Sequence, residues 1–100
     1  MRGGCAIFQS MSRNSLIKNN VLMNGPRAGI NFNDGMGGGN DVTQNLVLGF
    51  VRESADHGNE NSWDRVPFLG KWGGEDKPAT LAPAWNHQHH NFWLVRDCLC

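Results

Sequence analysis

Tyrosine is absent from this chain of 100 residues, and alanine, glutamate and lysine, which form helices readily, are sparse. A helical bundle is therefore a poor fit to the composition. Charged residues make up only 18% of the chain, and nine Lys and Arg balance nine Asp and Glu. Because nucleic acids and anionic membranes attract proteins with a basic excess, the balanced charge argues against both as main partners.

Long apolar runs are missing too. No segment approaches the ~20 apolar residues that a membrane-spanning helix needs, and no signal peptide is visible after Met1. The three cysteines, Cys5, Cys98 and Cys100, cannot form a complete set of disulfides, and their spacing fits no zinc motif. The cysteines therefore indicate neither a disulfide scaffold nor a structural metal.

The residues that are abundant favour strands and turns. Glycine occurs 13 times and asparagine is frequent, beside valine, isoleucine, phenylalanine and four tryptophans. β-Branched and aromatic residues favour strands, while glycine and asparagine favour turns. Together they predict short strands joined by many corners.

A template of asparagine followed by two or three apolar residues occurs three times, in residues 17–23, 42–48 and 88–94. The asparagines are Asn20, Asn45 and Asn91, and the second gap is close to twice the first. Repeats of about 20–25 residues without helical periodicity indicate a β-solenoid. Leucine-rich repeats share the period, but their leucine framework is missing. Equivalent asparagines on successive windings are expected to stack as a hydrogen-bonded ladder.

A second series of strands is predicted between these templates. Residues 6–8 and 29–32 lie about one period apart, and one further period leads to residues 54–57. Each winding is therefore predicted to supply two short strands. The corners contain glycine and asparagine, which tolerate the positive φ that sharp turns require.

The residues at these corners carry a family resemblance. Residues 24–35 (NGPRAGINFNDG) with 37–40 (GGGN), and residues 52–58 (RESADHG) with 61–65 (NSWDR), resemble the right-handed parallel β-helix (pectate-lyase-like) superfamily. The chain is most similar to uncharacterised eukaryotic β-helix proteins and more distantly to β-helix glycoside hydrolases. The resemblance implies an all-β, right-handed parallel β-helix, here partial and of about four coils.

The resemblance covers about residues 1–97, with a loop over residues 71–84 inserted between coils and a tail at residues 98–100 that does not match. Members of the family continue beyond the point equivalent to Trp93. We therefore expect this chain to be a fragment of a longer parent protein, which the family resemblance places outside the cell or on its surface. A monomer is expected.

Acidic residues on neighbouring coils are the candidate catalytic groups. Stacked strands lie about 4.8 Å apart, so Asp34 and Asp56 are predicted to be close, with Glu53 beside them. Two carboxylates about 5–10 Å apart are the machinery of glycoside hydrolysis, one as acid and the other as base or nucleophile. The alternative is structural, with Asp34 capping an ordinary Asn-Asp-Gly turn.

Substrate contacts are predicted for five residues around these acids. Arg27 and Arg65 could hold carboxylates or hydroxyls of a sugar chain through their planar donors, and Trp63 could stack on a sugar face. Asn31 and His57 complete the set. Core or loop packing is the alternative for Trp63, and a bridge between coils is the alternative for Arg27. Trp72 is a weaker stacking candidate.

Two places in the sequence contain residue types that can bind a metal. His87 and His89 would share one face of a strand, but a third ligand for zinc is not evident, so no metal residue is assigned. Lyases of this fold commonly use calcium, and oxygens of Asp34, Glu53, Asp56 and Asn31 could contribute to such a site. No cofactor is required by the spacing.

The function expected from the resemblance is polysaccharide hydrolysis. A lyase, with Arg65 or His57 as base, is one alternative. A non-catalytic β-helix that binds glycans or serves as a structural rod is another. A third is that the chain does not fold by itself. For the hydrolase, the lyase and the glycan-binding β-helix, the expected partner is a polysaccharide or glycan.

Overall fold

The structure, a computed structural model, describes residues 4–53, 57–66, 69–71, 79–81 and 85–94. Every regular element in these ranges is a β-strand, which confirms the all-β prediction. The strands are β1 (Ile7–Gln9), β2 (Leu16–Lys18), β3 (Val21–Met23), β4 (Ile30–Phe32), β5 (Asn40–Thr43), β6 (Leu46–Leu48), β7 (Glu60–Ser62), β8 (Leu69–Lys71), β9 (Ala79–Leu81), β10 (Asn86–His89) and β11 (Phe92–Leu94).

Nine of these strands form three parallel sheets of three strands each. The first sheet has the order β1-β4-β7, the second β2-β5-β10 and the third β3-β6-β11. Each strand therefore pairs with a strand one pass later along the chain, as in a solenoid. In the second and third sheets the partners follow the asparagine template, with Ile17 beside Val42 and Leu22 beside Val47.

The template segments each contain two strands and not one. The chain turns sharply between β2 and β3, between β5 and β6, and between β10 and β11. The first corner residue has positive φ each time: 59° at Asn19, 54° at Gln44 and 55° at His90. The prediction of two strands per winding was wrong for this reason, since each pass through the template contributes a strand to two different sheets.

The third strand of the first sheet was also placed wrongly. β7 at residues 60–62 pairs with β4, with Asn61 beside Asn31, so residues 54–57 do not occupy that position. Two features explain the error. The step from Asn31 to Asn61 is 30 residues, longer than the 25 residues between Asn20 and Asn45. In addition, β7 reads Glu-Asn-Ser and contains no apolar residue that a pattern search could detect.

The core lies between the three sheets and is richest in the middle strands. Ile30, Phe32, Val42 and Val47 are fully buried, and Ile17 is nearly so. Met36 and Phe50 enter the core from the corners. Because side chains alternate across a strand, the residues between these positions face outward. Facing outward does not always mean exposure, since Asn31 is 4% and Thr43 5% exposed.

Asparagine ladders connect the windings at their corners. Asn45 Oδ1 accepts hydrogen bonds from the Asn20 backbone N–H (3.0 Å) and side-chain amide (2.9 Å). Asn91 Oδ1 in turn accepts from the Asn45 backbone and side chain, each at 3.0 Å. The predicted ladder is therefore present. A second ladder joins Asn40 to Asn86, whose amide oxygen accepts from Asn40 Nδ2 at 2.8 Å.

The segment predicted to be a loop carries regular structure. β8 and β9 pair in antiparallel fashion, with Gly70 beside Thr80. Residues 72–78 and 82–84, including Trp72, lie outside the described residues. Within the part of the chain that is described, no helix has the length and apolar character needed to cross a membrane.

Candidate ligand-binding groove

The outer face of the first sheet carries a row formed by the middle residue of each strand. Phe8, Asn31 and Asn61 are aligned by strand register. Phe8 is 57% exposed, and Asn61 Nδ2 donates a hydrogen bond of 2.7 Å to Asn31 Oδ1. The row therefore combines an accessible aromatic ring with amide groups held in a fixed orientation.

A cavity of about 240 Å³ opens beside this row. Its lining residues are Gly4, Cys5, Phe8, Arg27, Asn31 and Asn33. Two residues predicted to contact substrate, Arg27 and Asn31, thus meet in one cavity. Cavities of a few hundred Å³ with apolar walls and a few convergent polar groups are typical small-ligand sites.

Arg27 is held in place by His57. The Arg27 Nε and Nη2 groups lie 3.1 Å and 2.9 Å from His57 Nε2. Since a guanidinium can only donate hydrogen bonds, His57 Nε2 is the acceptor. His57 therefore positions Arg27 at the cavity, and the two predicted residues act as one unit.

Asp34 and Arg65 form an ion pair beyond the end of the first sheet. Arg65 Nε lies 3.1 Å from Asp34 Oδ1 and Arg65 Nη2 lies 2.5 Å from Asp34 Oδ2. The Arg65 backbone N–H also donates to Asp34 Oδ1 at 2.9 Å. The hydrogen bonds from the Arg65 side chain are the largest cause of a pKa of Asp34 below its usual 3.8. Asp34 is therefore ionised at neutral pH.

The carboxylate nearest in register to Asp34 belongs to Asp64, which the sequence analysis did not select. Asp64 Oδ1 accepts hydrogen bonds from the backbone N–H groups of Gly35 (3.1 Å) and Val66 (3.2 Å). Both acids thus bind backbone or arginine donors across adjacent windings, which is a structural role different from the turn cap that is the alternative for Asp34. The longer step to β7 explains why Asp64 was missed.

Trp63 lies directly after β7 on the winding next to Asn33. Its backbone N–H donates to the Phe32 carbonyl at 2.9 Å, and its side chain is 59% exposed. This places an accessible indole one winding from a residue that lines the cavity. Trp63 is therefore available for the predicted stacking, and Asn33 is a lining residue that sequence reasoning missed.

Of the two remaining predicted acids, only Glu53 lies within the described residues. Glu53 is exposed, and its backbone N–H donates to the Pro26 carbonyl at 2.9 Å, next to Arg27 in the chain. Asp56 lies outside the described residues. The predicted catalytic roles of Glu53, Asp56 and Asp34 stay predictions.

The histidine-rich segment makes hydrogen bonds with its own neighbours. His89 Nε2 lies 2.8 Å from Asp41 Oδ1, and His89 Nδ1 lies 3.2 Å from Thr43 Oγ1 and 2.8 Å from His90 Nδ1. Among the described residues, no group of three or more His, Cys, Asp or Glu side chains has the arrangement of a metal site.

The chain was compared with protein-family models, with curated proteins and with solved structures, and no match was found in any of the three comparisons. The parallel, in-register sheets are compatible with a β-helix-like solenoid.

Proposed function

We propose that the chain forms a right-handed parallel β-helix of the pectate-lyase-like kind, and that it binds a polysaccharide along the outer face of the first sheet. The observation that supports this most directly is the cavity that Arg27, Asn31 and Phe8 line together. A guanidinium can bind a uronate carboxylate, amides can bind hydroxyls, and an aromatic ring can pack against the apolar face of a sugar.

The geometry favours binding over hydrolysis by Asp34. A glycoside hydrolase keeps one carboxyl protonated near its working pH. The Arg65 hydrogen bonds instead lower the pKa of Asp34. Asp34 could accept a proton or stabilise a cation, but it is poorly suited to act as the acid.

Cleavage is the second proposal, and it depends on Glu53 and Asp56. Of these two, Glu53 lies within the described residues, and its backbone N–H donates to the Pro26 carbonyl, next to Arg27 in the chain. Hydrolysis would generate reducing ends. A lyase would generate a double bond that absorbs in the near ultraviolet, with His57 or Arg65 as base. Under both proposals we place the protein outside the cell or on its surface, where polysaccharides occur.

Isothermal titration calorimetry with polygalacturonate tests the binding proposal, with dextran as the neutral comparison. Replacing Arg27 by Gln removes the guanidinium but keeps a polar side chain. Loss of a charged hydrogen bond costs about 1.5–3 kcal/mol, so we expect affinity for polygalacturonate to fall at least about tenfold. Arg52→Gln is the matched control, since Arg52 is exposed and does not line the cavity.

An equal loss of affinity in Arg27→Gln and Arg52→Gln would show that binding depends on general charge attraction. That result would contradict binding at the cavity. Absence of binding to either polymer by the folded chain would reject these two ligands. Incubation of the same samples, followed by reducing-end and ultraviolet assays, separates binding from hydrolysis and from elimination.

A further inference from the structure

The outer face of the third sheet is apolar at every one of its six register positions. Two rows cross the three strands, and they comprise Val21, Leu46 and Phe92, and Met23, Leu48 and Leu94. We call these six residues the apolar face. Val21 is 62% exposed, Phe92 61%, Met23 52% and Leu94 46%. The middle residues of the same strands, such as Val47, point into the core.

The second sheet has the same corner geometry but a different outer face. Its corresponding positions are Leu16, Lys18, Asp41, Thr43, His87 and His89. Only Leu16 among them is apolar, and it is 66% exposed. Strand formation alone therefore does not demand apolar outer residues in this protein. Four residues of the apolar face are exposed, and the central Leu46 and Leu48 are half-buried. An exposed apolar patch of this kind can mark a surface that another molecule covers.

We propose that a second copy of this chain covers the apolar face, so that two third sheets pack against each other around a two-fold axis parallel to the strands. This axis places β3 of each copy opposite β11 of the other and β6 opposite β6. The monomer expected from the sequence is replaced by a dimer in this proposal.

Side-chain sizes favour this orientation. Small Val21 meets large Phe92, Met23 meets Leu94, and each central leucine meets its own equivalent. The combined size of each facing pair is nearly constant, which allows the layer to fill without gaps. An axis along the stacking direction would instead pair Phe92 with Leu94 at one end and Val21 with Met23 at the other. That arrangement leaves a wedge-shaped gap.

Area and charge are compatible with weak self-association. Six side chains of this kind expose roughly 500 Å², the upper range for a patch on a monomer. Two copies would bury about 1,000 Å² in total, near the lower limit of a specific interface. The asparagine corners bordering β3 and β6 are uncharged, and the formal net charge is zero at pH 7 with neutral histidines. Two copies therefore approach without net repulsion.

Analytical ultracentrifugation of the full chain tests the proposal. The monomer mass is 11.1 kDa, and we expect a concentration-dependent species of twice that mass. Val21→Lys should raise the dimer dissociation constant at least about a hundredfold, because the two-fold axis buries two unpaired charges. Leu16→Lys is the matched control, since Leu16, like Val21, is aliphatic and exposed, and its strand β2 directly precedes β3.

A charge-pair series tests the orientation. Phe92→Glu should also weaken the dimer, and the double variant Val21→Lys with Phe92→Glu should restore it, since the new charges then face each other across the interface. Circular dichroism of each variant checks that the strand signal is retained.

A wild-type chain that sediments at 11.1 kDa at all concentrations would overturn the proposal, and so would a dimer that Val21→Lys and Leu16→Lys affect equally. Absence of rescue in the double variant would overturn the orientation. A monomer that co-sediments with phosphatidylcholine vesicles would identify a lipid surface as the occupant, which also contradicts a dimer. The cavity lies beside the first sheet, whereas the apolar face belongs to the third sheet. These results therefore do not depend on the glycan proposal.

Discussion

Replacing Asn45 by Ala should destabilise the fold more than any other single change in the asparagine ladder. Asn45 is only 2% exposed and is the central member of the ladder. Its side chain takes part in four hydrogen bonds, of which the bond from Nδ2 to the Ile17 carbonyl (2.9 Å) is buried. The other three join it to Asn20 and Asn91 and are partly accessible.

The magnitude follows from these four contacts. A buried carbonyl that loses its hydrogen-bond donor costs about 1–3 kcal/mol, and each accessible hydrogen bond contributes about 0.5–1 kcal/mol because water replaces part of it. We therefore expect Asn45→Ala to lower the free energy of unfolding by about 3 kcal/mol. Urea denaturation followed by tryptophan fluorescence would show a midpoint lowered by roughly 2 M, using the denaturant dependence typical of small domains.

Asn20→Ala is the control, since Asn20 lies at the end of the ladder. Among the described residues, its side-chain amide donates to the Lys18 carbonyl and to Asn45 Oδ1. Loss of these accessible bonds should cost about 1 kcal/mol. All variants are compared at one protein concentration, because self-association would add to the apparent stability. An Asn45→Ala protein within about 0.5 kcal/mol of the wild type would refute the ladder as a source of stability.

Two further predictions concern the charges and the corners. Because Arg65 lowers the pKa of Asp34 in the folded state, this ion pair stabilises the fold above the ordinary pKa of 3.8, and the stabilisation is lost as the pH falls through the lowered value. Arg65→Gln should therefore move the NMR titration midpoint of the Asp34 carboxyl upward. An unchanged midpoint would contradict the ion pair. Gly49 has φ +68°, and an added Cβ would lie 2.9 Å from Asn24 Oδ1. Gly49→Ala should therefore lower the free energy of unfolding, measured by urea denaturation, by at least about 1 kcal/mol. An increase in stability would show that this corner has a different conformation.

The sequence was informative where residues repeat at equivalent positions. Asn20, Asn45 and Asn91 predicted both the ladder and the stacking of the second and third sheets. Short corners with a positive φ keep the asparagine, and the apolar residues after it, at a constant position within each pass. Such a position is detectable from one sequence because it is filled by the same residue type for the same physical reason.

The first sheet could be predicted only in part. Ile7 and Ile30 were aligned correctly, but β7 lacks an apolar residue and follows a longer connection. Connection length is not constrained by the core, so a fixed period fails at such corners. The prediction that Asp56 neighbours Asp34 depended on that period.

The candidate site was also predicted only in part. Arg27 and Asn31 were selected for their chemistry, and the cavity contains both. Their partners were not predictable, because the contact of Arg27 with His57 spans 30 residues. Asn33 and Asp64 were missed for a related reason, since only the register of β4 and β7 places them beside the selected residues.

The central claim is that successive passes of the chain stack in parallel with the register described, and a nuclear Overhauser experiment on the isotopically labelled chain tests it most directly. The account predicts cross-peaks that link Val42 to both Ile17 and Gln88, and that link Asn31 to Asn61. Cross-peaks from Asn31 to residues 54–57, or antiparallel contacts in place of the Val42 contacts, would contradict it.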